Sequence, residues 1–404
     1  MQGQRPQGPI GIVTHSYYDE DPRVRRQAEA LVAAGHAVDV YALRRPDDPE
    51  TGEVGGVRVQ RLDVQRHQGA GPATYLREYV SFFVRAQFAL TRGHARRRYA
   101  LVQVATLPDW LVFAGLPLRM TGTPLLLDLH ESMPAFFASR FPGLARGPAR
   151  RVMTLAERVS LAAASHCLTV NDGLRDRLVA GGLPASKIDV IANAPSLALF
   201  DRAAAQARPF MADGTLRLVY AGAVTPTYEL GVVLEALVRV RELRPELPFR
   251  LDVYGRGDSQ PALEAQAATL GLAANVRFHG RIPIEAVPGA IAAADVGLAP
   301  TRRDAFTDVS LSTKIFEYGA LEKPVVASRL PMIERQLPAD ALWTYEPADP
   351  ASLAAAILSV ADDPADRERR VAALRSLVEE RSWEVEARRY VAIVERLASR
   401  SAGR

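Results

Sequence analysis

Residues 10–43 read IGIVTHSYYDEDPRVRRQAEALVAAGHAVDVYAL, and their periodicity decides the fold class. The apolar runs at 10–15 and 37–43 suit strands, and the stretch from about Arg23 to Ala34 between them has helical spacing. Val24, Ala28, Leu31 and Val32 share one helical face, Arg25, Arg26 and Glu29 take the wet side, and Gly35 supplies a C-terminal cap. Strand, helix and strand in that order predict a βαβ unit and a parallel sheet.

The same rhythm runs outward from this unit. Apolar segments at 57–62 (VRVQRL), 101–105 (LVQVA), 125–130 (LLLDLH), 167–170 (CLTV) and 189–193 (DVIAN) alternate with helical stretches. Continuous apolar runs of this kind suit parallel strands covered on both faces. Periodicity fades after Pro195 and restarts with LRLVYAG (216–222) and a helix from about Glu229 to Leu243. Strands FRLDVYG (249–255), VRFHG (276–280), VGLAP (296–300) and PVVAS (324–328) follow. The predicted architecture is α/β, two tandem Rossmann-like doubly wound parallel sheets. Residues 1–195 form the first domain, 196–214 a linker, 215–380 the second domain, and 381–404 a C-terminal helix. Ligands of open α/β sheets bind outside the carboxyl ends of the strands, so the two sheets are expected to face an interdomain cleft.

With 404 residues, 48% of them hydrophobic, the chain can bury a core for each domain. The opening MQGQRPQGPI lacks the apolar core of a signal peptide, and no apolar run reaches the roughly 18–20 residues that span a bilayer. A cytoplasmic location is expected. The single cysteine, Cys167, excludes an internal disulfide or thiolate cluster and sits in an apolar run as a buried strand residue. The net charge of +4 divides into roughly +6 up to Asn193 and roughly −2 beyond it. Basic residues concentrate in RGHARRR (92–98) and FFASRFPGLARGPARR (136–151). The second segment mixes Phe and Leu with arginine as an interfacial patch does, and an anionic membrane surface would attract it; solvated helix faces and loops are the alternative. No helix-turn-helix, RNP or zinc pattern accompanies the charge, so no nucleic-acid partner is expected.

Chemistry concentrates near residue 314. A hydroxyl-rich loop, Thr307 to Thr313, runs into a helix that contains Lys314, Glu317 and Tyr318. Backbone N–H groups, the helix dipole and one ammonium would converge there on an anion, with Ser312 and Thr313 beside them. An ordinary amphipathic helix capped by Ser312 or Thr313 is the other reading of the same residues.

SLSTKIFEYGALEKPVVAS (310–328) resembles the signature of glycosyltransferase family 4, a retaining group with the GT-B fold. Other stretches agree in order and spacing: DPRVRR (21–26), LLLDLHE (125–131), VYAGAVTPTYELGVVLEAL (219–237), VYGRGD (253–258), VRFHGRIP (276–283) and AADVGLAP (293–300). RSWEVEARRYVAIVERL (381–397) is similar to the family's terminal helix, which crosses back onto the first domain. The resemblance thus covers nearly the whole chain.

It implies roles residue by residue. Glu317 would bind the ribose and Lys314 would face the diphosphate of a nucleotide-sugar donor. Gly222 would let the backbone approach the phosphates, with Gly255 as a second close turn and Thr225 and Tyr228 in the donor loop. The main chain of Ile282 would meet the base, and His130 would hydrogen-bond the donor sugar near the reaction centre. Apart from the resemblance, Tyr17, Tyr18, Asp21 and Arg23 are expected to line the acceptor side, with exposed loop residues as the alternative reading, and Asp128 to be a structural residue on the opposite side of its strand. The sequence also departs from the pattern. Val309 stands where the family has its first glutamate, with Asp308 as a partial substitute. The 221–228 loop carries no cation, leaving Lys314, Arg256 and Arg281 for the diphosphate.

No metal site is expected, because the seven histidines show no HxH, HxxxH or HExxH spacing. A magnesium ion arriving with the nucleotide would have no protein anchor. The first strand lacks GxGxxG, which argues against a nicotinamide enzyme. The expected function is retaining transfer of a sugar, UDP-linked by preference, to a hydroxyl of a glycolipid or polysaccharide precursor. Transfer to a soluble natural-product acceptor, and nucleotide-sugar binding without transfer, are the competing readings.

Overall fold

The computed structural model describes residues 8–67, 71–141 and 147–402. They form two compact units, one containing the described residues up to Asn193 together with those from Glu386 onward, the other Ala194–Val385.

In the first unit, strands β1 (Ile10–Val13), β2 (Val38–Leu43), β3 (Thr51–Val54), β4 (Val57–Leu62), β5 (Leu101–Ala105), β6 (Leu125–Leu129), β7 (His166–Thr169) and β8 (Ile188–Val190) build one sheet of order β3-β4-β2-β1-β5-β6-β7-β8. All neighbours pair in parallel except β3 with β4. Burial explains the pairing: β1, β2, β5, β6 and β7 are buried at every residue, whereas β3 alternates between exposed and half-buried. The β3–β4 hairpin turns on Gly55 and Gly56, both at positive φ (59° and 75°), which side-chain-bearing residues adopt at a cost. Apolar periodicity predicted the parallel strands, but the short and polar TGEV of β3 lay below its reach. The first crossover helix, Pro22–Ala33, starts where Asp21 accepts hydrogen bonds from the backbone of Arg23 and Val24 and where Pro22 supplies a preset φ.

In the second unit, β9 (Leu216–Ala221), β10 (Phe249–Tyr254), β11 (Val276–Gly280), β12 (Val296–Ala299), β13 (Val325–Ser328) and β14 (Trp343–Tyr345) form an all-parallel sheet of order β11-β10-β9-β12-β13-β14. The three-residue β14 is again too short for a periodicity signal.

Each sheet reverses its winding once, between β1 and β5 in the first unit and between β9 and β12 in the second. Connections leave such a pair of strands toward opposite sides, so the carboxyl ends of those strands frame a crevice.

The last helix, Trp383–Ala402, joins the first unit's fold from Glu386 on. There the Tyr390 hydroxyl donates to Gln103 Oε1 at 2.6 Å, and Glu395 and Arg396 meet His36 (3.0 Å) and Asp189 (2.7 Å).

Candidate active site

The first unit's reactive side chains stand on a buried polar chain. His130 leaves the carboxyl end of β6 with its backbone N–H on Thr106 Oγ1 (3.2 Å) and its Nε2 2.9 Å from Asp128 Oδ2. Gln27 Nε2 donates to the same Asp128 oxygen at 2.8 Å and Gln103 Nε2 at 3.2 Å. Gln103 also bonds Gln27 Oε1 (2.7 Å) and receives the Tyr390 hydroxyl. Asp128 therefore does not point to the opposite side: residues two apart in a strand share a face, and its carboxylate meets His130. The two side chains turn toward each other where β6 ends.

Burial alone would raise the Asp128 carboxyl, but the charge and hydrogen bond of His130, with Gln27 and Arg23, outweigh it and hold the group below the ordinary carboxylate range. An ionised Asp128 fixes the proton of His130 on Nε2 and leaves Nδ1 as the nitrogen available to a ligand. Arg23 is half-buried at the start of the first crossover helix and acts on the same carboxylate. At the carboxyl end of β1, the buried His15 sits edge-on to Tyr79 (centroids 4.7 Å apart) and Phe82 (5.1 Å). Burial, aided by Arg66, pushes its pKa down to about 3, so the ring is neutral at physiological pH.

The expected acceptor-side residues separate. Tyr18 is 1% exposed and buried in the core, so its ring presents no surface to an acceptor. Asp21 is occupied as the helix cap and accepts from Ser16 Oγ at 2.8 Å. Tyr17 lies under the Arg45 guanidinium (4.5 Å) and its hydroxyl accepts from the Arg66 backbone at 3.3 Å. Of the four, Arg23 acts on the Asp128 carboxylate that holds His130. Phe136, Phe137 and Phe141 are half-buried and pack on one another and on Tyr75, rather than projecting outward. Residues 142–146 of that basic segment lie outside the described residues.

The second unit's crevice is built from backbone. Gly222 N donates to Tyr254 O (2.8 Å), Val224 N to Arg256 O (3.0 Å) and Gly255 N to Gly280 O (2.8 Å), so the turns after β9, β10 and β11 lie against one another. A Cβ on Gly255 would fall 1.8 Å from Gly222 O, and one on Gly222 would fall 2.2 Å from Lys314 Cε. Lys314 thus occupies the space a side chain at 222 would take. Its Nζ lies 3.8 Å from the centroid of the Tyr228 ring and 5.2 Å from that of Tyr220, a cation held over aromatic faces.

Lys314 is in the first turn of the helix Thr313–Ala320 and only 7% exposed. Ser312 holds the N-cap position, yet its hydroxyl makes no cap hydrogen bond and is buried without a partner among the described residues. That helix end therefore offers backbone N–H groups, a hydroxyl and an ammonium together. Glu317 is half-buried one turn further on. Thr225 closes the donor-loop turn by accepting from Tyr228 N (3.0 Å). Arg256 and Arg281 are exposed at the exits of β10 and β11, with Ile282 half-buried after them. Asp308, offered as a substitute for the missing glutamate, forms an ion pair with Arg303 at 3.3 Å.

Tyr318, on the same helix, explains why the crevice opens. Strands β9 and β12 pair only through Val296 with Leu218 and Gly297 with Val219. Beyond that point the buried Tyr318 hydroxyl accepts from Ala221 N (3.1 Å) and donates to Leu298 O (3.2 Å), satisfying the backbone groups that the parting strands leave open. Gly297 makes room for it, since a Cβ there would lie 2.3 Å from the tyrosine ring. Sequence reasoning assigned Tyr318 and Gly297 no role. Gln27, Gln103 and Tyr390 were likewise missed, although a glutamine inside the apolar run LVQVA is a signal of buried polar contact.

Among the described residues no group of three or more His, Cys, Asp or Glu side chains is placed to hold a metal ion. No helix there is long and apolar enough to cross a membrane.

Comparison with known proteins adds three findings. Residues 21–194 match the family described as Glycosyl transferase 4-like domain, and residues 215–363 the one described as Glycosyl transferases group 1. A glycogen synthase of Mycobacterium tuberculosis is 27% identical over 387 residues, covering 90% of this chain and 87% of that protein. Among solved structures, sucrose-phosphate synthase from Thermosynechococcus elongatus superposes with a TM-score of 0.75 at 20% identity over 97% of this chain and 99% of that one. The Anabaena protein HepE, solved with UDP and glucose, gives a TM-score of 0.69 at 15% identity over 97% and 100%.

Proposed function

The chain belongs to glycosyltransferase family 4 and has the GT-B fold, and on that premise we propose that it is a retaining enzyme moving a sugar from UDP to a hydroxyl of a glycolipid or polysaccharide precursor at the cytoplasmic face of a membrane. That it uses a nucleotide-sugar donor follows from the family. The observation that carries the donor site is the placement of Lys314 over Tyr228, against a backbone stripped of side chains at Gly222, beside an open helix N-terminus.

In this reading the diphosphate lies along the Gly222 turn. Its charge is met by Lys314, by the first N–H groups of the helix Thr313–Ala320 and by the Ser312 hydroxyl, with Thr313 beside them. Arg256 and Arg281 add positive charge from the neighbouring turns, which reduces the need for a cation in the 221–228 loop. Glu317 accepts hydrogen bonds from the ribose hydroxyls and the Ile282 main chain meets the base. UDP is favoured because HepE, which shares the fold, was solved with it. As the bond from sugar to leaving oxygen breaks, the acceptor oxygen attacks the same face and its proton passes to the leaving phosphate. Charge stabilisation on that phosphate is then the protein's largest contribution. His130, with Nδ1 toward the sugar, positions the donor and needs no role as a base. This scheme draws its positive charge from the protein and calls for no protein-bound metal.

Calorimetric titration with UDP tests the donor site. Lys314→Ala and Glu317→Ala are each expected to weaken UDP binding by about tenfold or more, equivalent to about 1.4 kcal/mol. Unchanged affinity in both would reject the site.

A further inference from the structure

Three helical segments covering one face of the first sheet expose apolar side chains. The helix Pro72–Arg97 turns Phe82, Ala86 and Leu90 into the core and presents Leu76, Val80, Val84 and Phe88 outward. Spaced four residues apart, these four form a continuous ridge, and Phe88 is 70% exposed. The helix Pro148–Ala163 exposes Val152, Leu155 and Val159, and Met120, at the end of the short helix Leu116–Arg119, is 90% exposed. Both long helices pack on the intervening segment Asp109–Gly115 and share one core cluster.

The charge on this surface has one sign. Arg77, Arg85 and Arg92 are exposed beside the ridge, and Arg151 and Arg158 beside the second apolar stripe. Glu78 and Glu157, the carboxylates these helices contain, are both buried, Glu78 against His67 and Glu157 against Arg177. A second copy of the chain docking here would set arginine against arginine with no exposed carboxylate to pair it. A nucleic acid would meet the arginines but leave the aliphatic ridge facing phosphates. An anionic bilayer satisfies both, since apolar side chains enter the boundary between headgroups and acyl chains while arginines reach lipid phosphates.

We infer that this surface, centred on the ridge Leu76–Val80–Val84–Phe88, docks on anionic lipid. It rests on the membrane half of the reading above and relocates the contact from Phe136–Arg151, whose described phenylalanines are half-buried. Sedimentation of the full chain with phosphatidylcholine vesicles, with and without about one third phosphatidylglycerol, tests it. Wild-type protein is expected to bind the anionic vesicles about tenfold better than neutral ones and to be released by salt. Changing Val80, Val84 and Phe88 together to Ser should lower binding about tenfold, with UDP titration and thermal unfolding as controls that the donor site and fold persist. Equal binding by the triple variant would overturn this surface alone. No binding of the wild type to anionic vesicles would overturn both the surface and the membrane half of the proposed function, leaving donor use intact. A wild-type dimer that the triple variant converts to monomer would reassign the ridge to self-association.

Discussion

Asp128 Oδ2 and His130 Nε2 lie 2.9 Å apart at the mouth of the first sheet, with two glutamines closing the carboxylate from behind. The pair fixes both the tautomer and the direction of the imidazole. Asp128→Asn keeps the shape and removes the charge. Turnover is expected to fall at least tenfold while UDP affinity, set in the second unit, stays unchanged. The carboxyl titrates lower in the folded chain than its unfolded value of about 3.9. Its stabilisation is therefore present in full above that value and is lost as pH falls through the folded pKa. Urea unfolding should show the variant weaker by about 2 kcal/mol at pH 7, with the gap closing in acid.

Gly222→Ala places a methyl group where Lys314 Cε now lies. The lysine must leave its position over Tyr228. Overpacking of this kind costs about 1–3 kcal/mol, and UDP binding by calorimetry should weaken by an order of magnitude. The double variant with Lys314→Ala relieves the clash but not the strain of a side chain at φ 157°, so it should regain part of the stability and none of the affinity.

Tyr318→Phe removes one hydroxyl and strands two buried backbone groups, Ala221 N and Leu298 O. The expected loss is about 1–3 kcal/mol in denaturant unfolding. Hydrogen exchange at Ala221 should accelerate, because that amide loses its acceptor.

Asp109 is fully buried in the first unit, and neither carboxylate oxygen has a hydrogen-bond partner among the described residues. Burial, reinforced by Glu157, pushes its pKa well above the ordinary value. The folded chain therefore holds a proton that the unfolded chain releases above about pH 3.9, and stability declines as pH rises from there toward the folded pKa. Asp109→Asn is expected to raise thermal stability at pH 7–8 and to change little at pH 3; no difference between the two conditions would remove the buried acid from consideration.

Local pattern made much of this molecule legible. Buried parallel strands announce themselves as apolar runs, and nearly every strand in both sheets was visible as one. The exceptions, TGEV at 51–54 and WTY at 343–345, are short or exposed on alternate residues, so burial leaves little imprint on them. The helix start at Thr313 was readable because a hydroxyl-rich loop running into a helix is a local arrangement. The support for His130 was not, since Gln27, Gln103, Asp128 and Tyr390 come from four separate stretches and meet only in space. Tyr18 failed for the complementary reason. A tyrosine in a polar loop looks available, and only packing reveals that its ring is enclosed.

The helix Trp383–Ala402 delivers Tyr390 into the polar cluster beneath His130. A ribosome releases that tyrosine only after the entire second unit has been synthesised. Until then Gln103 keeps its bonds to Gln27 and Asp128 but lacks the Tyr390 donor to its Oε1. The polar cluster around His130 thus becomes whole only after residue 390 has been made.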